Sequence, residues 1–185
     1  MNEVVLVGNP NVGKTTLFNN LTGANEKVSN WHGVTVGVKS KLYKHNNLEI
    51  KITDLPGIYS LQGFSNEEKI ARDYILQNKE KFFINVCDGN NFERCLKLTV
   101  ELLNLGLKVL VLVNMAECVD GQILQKIENT INAKIVKIDV RKTREVLLLK
   151  GVVNDGISSI KTQKIFKISK KAIIYNDLKK IFDYK

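Results

Sequence analysis

Gly8-Asn9-Pro10-Asn11-Val12-Gly13-Lys14-Thr15 reads G-x-x-x-x-G-K-T, a spacing whose chemistry is phosphate binding. Gly8 and Gly13 let the backbone curl so that its N–H groups point at an anion. A helix starting near Lys14 adds the positive end of its dipole. Lys14 supplies a compact charge for the outer phosphates, and the Thr15 hydroxyl is a magnesium ligand. Asn9, Pro10, Asn11, Val12 and Thr16 complete the cradle. Asp54-Leu55-Pro56-Gly57 supplies a carboxylate to hold magnesium through water and a glycine N–H to sense a terminal phosphate. Alone, that stretch also reads as a plain turn. Asn114-Met115-Ala116-Glu117 stands where guanine-binding phosphate-loop proteins carry N-x-x-D. Glu117 offers the paired acceptor that guanine needs, on a stem longer by one methylene, about 1.5 Å. Displacing such a carboxylate forfeits much of the ~2–5 kcal/mol of a buried charged pair. Guanine is the expected base, and a relaxed base preference stays open.

The elements that must position these residues alternate along the chain. Val4–Val7 is a short apolar strand that feeds the glycine loop, and Lys14–Leu21 follows as a helix with Leu17, Phe18 and Leu21 on one face. Val34–Tyr43 and Leu48–Thr53 alternate apolar and polar residues around Asn46-Asn47, which predicts an antiparallel hairpin. Ser65 and Glu68 form an S-x-x-E cap that opens a helix to about Gln77. Phe82–Cys87 and Val109–Val113 are unbroken apolar runs, as central parallel strands require, with a helix over Asn91–Leu105 between them. Further on, Gly121–Ile131 reads as helix, Lys134–Ile138 as strand and Thr143–Ile160 as helix. Ile165–Ile168 reads as extended and Tyr175–Phe182 as a short amphipathic helix. The expected fold is α/β, a mostly parallel central sheet with one antiparallel strand and helices on both faces.

Composition narrows the functional classes. At 185 residues, 44% hydrophobic and 25% charged, the chain suits one globular domain and neither a disordered nor a fibrous protein. Its apolar runs are strand-sized, short of the ~18–20 residues of a membrane span, and Met1-Asn2-Glu3-Val4 does not open a secretory signal. Cys87, Cys95 and Cys118, with His32 and His45, show no metal-ligand spacing, and a reducing compartment is expected. Residues 1–133 are charge-neutral, so the whole +9 excess falls in 134–185. That basic end suits a solvated surface, an anionic membrane or nucleic acid. No RNA-binding motif accompanies it, so nucleic acid is not the expected partner.

Together, these residues resemble the GTP-binding domain of the FeoB ferrous-iron transport family. The likeness rests on Gly8–Gly23, on Val28-Ser29-Asn30-Trp31-His32-Gly33-Val34-Thr35-Val36, on Asp54-Leu55-Pro56-Gly57-Ile58-Tyr59-Ser60-Leu61 and on Ile70-Ala71-Arg72-Asp73-Tyr74-Ile75. It covers residues 1 to about 120 well and weakens beyond them. It implies a P-loop NTPase G domain that binds GTP and GDP with magnesium. Thr35, beside Gly33 and Val34, would close on magnesium and the terminal phosphate. Asn11, with the backbone of Ser29 and Trp31, would hold a potassium ion that substitutes for an arginine finger. Asn11, Lys14, Thr35 and Gly57 would then be the catalytic set. Ile58 stands where a water-orienting Gln is found in Ras-like proteins, so slow hydrolysis is expected.

Departures from the family pattern are Ser29, His32, Gly37 and Glu117, and Asp139-Val140-Arg141 in place of the usual S-A-R or S-A-K. Val140 would offer its N–H to the guanine oxygen, with Arg141 beside it. The implied role is a slow GTP-hydrolysing switch over residues 1–163, with 164–185 as an extension opening a helical domain. It would regulate ferrous iron transport through a membrane-embedded pore, in cis or trans, at the cytoplasmic side of the bacterial inner membrane. Whether the chain is an excised fragment or a shortened stand-alone protein stays open, as does a homo-oligomer. The alternatives are a nucleotide-binding regulatory module with little hydrolysis and an RNA- or ribosome-associated GTPase.

Overall fold

The computed structural model describes residues 2–24, 37–45, 48–151 and 175–182. The unbroken apolar runs Val4–Val7, Phe82–Cys87 and Val109–Val113 form the middle of a six-stranded sheet, and all of their residues are buried. Strands covered on both faces have no solvent side to alternate with, which explains the missing polar period. In chain order the elements are β1 (Asn2–Gly8), α1 (Lys14–Thr22), β2 (Lys39–His45), β3 (Leu48–Asp54), α2 (Asn66–Gln77) and β4 (Phe82–Asp88). They continue with α3 (Phe92–Asn104), β5 (Lys108–Asn114), α4 (Gly121–Ile131), β6 (Ile135–Lys137), α5 (143–151) and α6 (Tyr175–Phe182). Strand order is β2-β3-β1-β4-β5-β6, with β2 antiparallel to β3 and every other pair parallel.

Crossovers in parallel sheets are right-handed, so the reversal of strand order at β1 puts the connections on opposite faces. The path from β1 to β3 runs one way, carrying α1, and those from β3 to β4 and β4 to β5 run the other, carrying α2 and α3. This is the expected mostly parallel α/β fold. Because β1, β3, β4 and β5 are parallel, their carboxyl ends share one edge, and the reversal opens a crevice there beside β1. Gly8, Asp54, Asp88 and Asn114 end β1, β3, β4 and β5 there, and Asp88 and Asn114 are register partners.

Local signals agree with most boundaries. Ser65 accepts from the Glu68 N–H while the Glu68 carboxylate accepts from the Ser65 N–H, a complete capping box. Asp120 caps α4, which stops at Asn132 in the left-handed conformation. Two strands differ from the sequence reading. β2 starts at Lys39, leaving residues 37–38 outside the strand, and reaches His45, because its partner β3 ends at Asp54, register partner of Lys39. β6 spans Ile135–Lys137, while its hydrogen bonds to β5 run from the Lys134 carbonyl, which accepts from the Val111 N–H at 2.9 Å, to the Ile138 N–H, which donates to the Val113 carbonyl at 3.0 Å. Residues 34–36, Ile165–Ile168 and the 163/164 boundary lie outside the described residues.

Past that boundary, α6 joins the main core. Leu178 is fully buried, the Phe92 and Phe182 rings meet edge to face at 6.3 Å, and the Tyr175 hydroxyl donates to the Glu93 carbonyl at 3.0 Å. Among the described residues no helix is long and apolar enough to cross a membrane.

Candidate functional site

The glycines of the phosphate loop are steric necessities. Gly8 has φ 145°, and a Cβ there would lie 2.3 Å from the Val86 carbonyl oxygen. Gly13 has φ 98°, and its Cβ would lie 2.7 Å from Asn114 Nδ2. Asn11 takes φ 65°, a conformation that asparagine tolerates better than most side chains. The loop therefore passes tight against β4 and β5 and turns into α1, whose first residue is Lys14. No side chain caps this helix start, so its amides are available to an anion.

Two opposite charges are buried at the loop. Lys14 is 7% exposed and donates to the Asn9 carbonyl at 3.2 Å. Burial pushes its ammonium pKa down, against the pull of Asp54. Burial likewise pushes the Asp54 carboxyl up, opposed by Lys14, by the Thr15 hydrogen bond and by Lys39. Thr15 Oγ1 donates to Asp54 Oδ2 at 3.2 Å, while Asp54 Oδ1 is buried with no hydrogen-bond partner. Each charge lacks a full complement, an anion for the lysine and a cation for the aspartate. A hydroxyl beside an orphaned carboxylate oxygen is a donor set that fits magnesium. Val12 is buried and Thr16 half-buried on α1.

Asp54-Leu55-Pro56-Gly57 docks on this loop. The Leu55 N–H donates to the Leu6 carbonyl at 3.1 Å and the Ile58 N–H to the Gly8 carbonyl at 3.1 Å. A Cβ on Gly57 would lie 2.8 Å from Pro10 Cα, so glycine is required by contact. Ile58 is 1% exposed, its side chain in the core. Sequence reasoning missed what holds the next residues. Glu101 and Arg94 of α3 grip Tyr59, Ser60 and Leu61 across some forty positions, and no motif marks them.

On the base side, Asn114 works as a strut. Its Nδ2 donates to the Val12 carbonyl at 3.0 Å, and its Oδ1 accepts from the Val140 N–H at 3.1 Å. Asn20 Nδ2 holds the Val140 carbonyl at 2.7 Å. Val140 is thus tied at both backbone groups, and the N–H expected to face guanine is engaged by Asn114 instead. Met115 has φ 52°, packed where a Cβ on Gly89 would reach its carbonyl oxygen at 2.4 Å. Glu117 is exposed.

Arg141 folds back on Asp139, Nε to Oδ1 and Nη2 to Oδ2, both at 2.9 Å. This fork, with the Arg141 N–H, holds the Asp139 carboxyl at about 2. Asp139 thereby replaces a hydroxyl with a charge that is already spent within its own loop.

Gly33, Val34, Thr35, Ser29, Trp31 and His32 lie outside the described residues. The other predicted site residues gather along the carboxyl edge of the sheet. Among the described residues no group of three or more His, Cys, Asp or Glu is placed to hold a metal ion.

A family model described as ferrous iron transport protein B matches residues 2–153. The Fe(2+) transporter FeoB of Leptospira biflexa is 40% identical over 166 residues, which is 86% of this chain and 22% of that protein. NFeoB of S. thermophilus, crystallised with GDP.AlF4- and K+, superposes with a TM-score of 0.76 at 40% identity. That match covers 91% of this chain and 65% of the other. The FeoB G-domain of Methanococcus jannaschii gives 0.72 at 33% identity over 85% of this chain and 99% of its own. The chain therefore spans about a fifth of the curated relative's length. The glycine cradle, the Lys14–Asp54 pair and the strand order sit within a match of 152 residues, residues 2–153, and the chain belongs to the ferrous iron transport protein B family, as a G domain of the P-loop NTPase fold.

Proposed function

We propose that this domain binds GTP and GDP with magnesium, hydrolyses GTP slowly, and switches a ferrous-iron pore at the cytoplasmic face of a bacterial inner membrane. The observation that carries this reading is the pair of buried charges, Lys14 and Asp54, each only partly offset by the other and with Asp54 Oδ1 left without a hydrogen bond, beside an uncapped helix start. A magnesium-bound phosphate tail supplies both missing partners. Guanine nucleotide and iron as the two ends of the coupling are supported by the relatives, an NFeoB crystallised with GDP.AlF4- and K+ and an Fe(2+) transporter.

In this mechanism the amides of Gly8–Thr15 and the Lys14 ammonium bind and orient the phosphates. Thr15 and Asp54 would hold magnesium, which when bound would supply positive charge to the outer phosphates. Gly57, already seated on Pro10, presents its N–H toward the terminal phosphate, and Thr35 closes from the other side. With Ile58 buried, no side chain at that position polarises water, and the rate rests on preorganised backbone and cations. Asn11, with the backbone of Ser29 and Trp31, would hold a potassium ion, which when bound would supply further positive charge. Order and disorder of the Ser29–Thr35 and Asp54–Ser65 segments then report the nucleotide state to the pore.

Calorimetric titration with GDP, GTP and ATP in magnesium, combined with single-turnover hydrolysis in potassium and in sodium, tests this reading. Guanine nucleotides should bind at least about 100-fold tighter than ATP, the value of a well-placed bidentate acceptor. Equal rates in both salts would remove the potassium role. A second reading, relaxed base preference, is favoured by the exposed, lengthened Glu117 and by the engaged Val140 N–H. Comparable affinities for ATP and GTP would establish it in place of the first.

A further inference from the structure

Residues 57–62 are strapped between two supports. On one side the Ile58 N–H reaches the Gly8 carbonyl and Gly57 abuts Pro10. On the other side stands one face of α3, where Arg94 and Glu101 lie two turns apart. Both oxygens of Glu101 are engaged. Oε1 accepts from Ser60 Oγ at 2.7 Å and Oε2 from the Leu61 N–H at 2.6 Å. The Ser60 hydroxyl in turn accepts from the Gln62 N–H at 3.1 Å, and the Arg94 guanidinium lies 4.4 Å from the Tyr59 ring centroid. A carboxylate accepting from a backbone N–H and from a hydroxyl that is 8% exposed makes a directional latch.

We propose that Glu101 is a positioning residue, a two-oxygen latch on α3 that holds Gly57–Gln62 docked on the phosphate loop and so sets the preference for GTP over GDP. The inference rests on the guanine-nucleotide reading above. A ligand shifts a conformational equilibrium only through contacts that differ between the two states. The Gly57 N–H lies within reach of a third phosphate only while the segment is docked, and GDP has no third phosphate to meet it. Weakening the latch lowers the docked fraction, and apparent affinity for the triphosphate falls in proportion, while affinity for GDP stays.

The test compares Glu101→Ala, Glu101→Gln and Ser60→Ala with the parent chain, using GDP and a non-hydrolysable GTP analogue in magnesium. Glu101→Ala should weaken analogue binding by about 10-fold or more, the scale of one or two charge-assisted hydrogen bonds, with GDP affinity unchanged. Its kcat should fall while its melting temperature stays near that of the parent. Glu101→Gln keeps one acceptor and turns an amide N–H toward the other donor, so it should fall between parent and Ala. Ser60→Ala should lose less than Glu101→Ala and add nothing to it in the double variant. Amide exchange at Leu61 should speed up in Glu101→Ala even without nucleotide. Equal losses for GDP and the analogue, or no loss for either, would overturn the latch. A parent chain that binds neither nucleotide overturns the functional reading instead, and the Leu61 exchange rate still reports on the latch itself.

Discussion

Around the phosphate loop, the site is built of backbone amides and two buried charges; around Asn114 and Asp139, it is built of side chains, those two buried and their neighbours Glu117 and Arg141 exposed. At the first end, glycines are imposed by contacts of 2.3–2.8 Å from a hypothetical Cβ, and Lys14 and Asp54 are shielded from water. At the second end, Glu117 is exposed and Asp139 is satisfied by its own neighbour Arg141. The difference teaches that the two ends fail in different ways. The cradle is broken by a side chain at any of its contact-imposed glycines, Gly8, Gly13 or Gly57, whereas the base end is broken by loss of a side chain that braces it.

The sharpest break of this contrast is Lys14→Met, which should lower nucleotide affinity by at least about 100-fold, since it removes a desolvated charge aimed at phosphate. The nucleotide-free fold should not suffer, because burial already disfavours the ammonium. Calorimetry beside a thermal melt separates the two effects. Asp54→Asn comes next, with loss of magnesium-dependent affinity by about 10-fold to 100-fold and little loss without the metal. A titration with and without chelator reads this directly. If either substitution proved mild, the phosphate end would be no more demanding than the base end.

Asn114→Ala sharpens the comparison from the other side. It frees the Val12 carbonyl and the Val140 N–H, both buried, at about 1–3 kcal/mol, visible in urea unfolding. It should also weaken GDP and GTP alike, because the strut joins the two ends. Glu117→Asp should change less, raising GTP over ATP by roughly a few-fold while leaving the phosphate contribution untouched.

Acid separates the ends most gently. Asp139 is held at about 2 against an ordinary 3.8, so its contribution is complete above 3.8 and is lost as pH falls toward 2. Asp139→Asn should flatten only a small part of the acid limb, because this ion pair is solvent-screened. Glu3, at the opposite end of β1, is also held at about 2, its burial overcome by Lys81, Thr53, Tyr74 and Lys51. Glu3→Gln should flatten more of that limb between pH 4.5 and 2, because its partner Lys81 is only 19% exposed whereas Arg141, the partner of Asp139, is 68% exposed.

Wherever a rule acts over a few consecutive residues, the elements could be read in advance. The capping box of Ser65 and Glu68, the buried runs of β4 and β5, and the G-x-x-x-x-G-K-T cradle all depend on neighbours in the chain. The start of β2 could not be read, because it depends on where β3 stops offering partners. Glu101 escaped for the same reason, since an acidic residue on an amphipathic helix carries no mark of the loop it will hold. The tie between the Val140 N–H and Asn114 Oδ1 escaped likewise, a hydrogen bond across 26 positions that no local pattern marks.

By itself, then, the order of residues determined that a phosphate cradle lies between a strand and a helix, because glycine, lysine and threonine at that spacing answer to local backbone geometry. Only the folded chain decided which side chains brace it. Bracing is a matter of distance across the sheet and through α3, and residues forty or a hundred positions apart acquire that distance only when the strands pair.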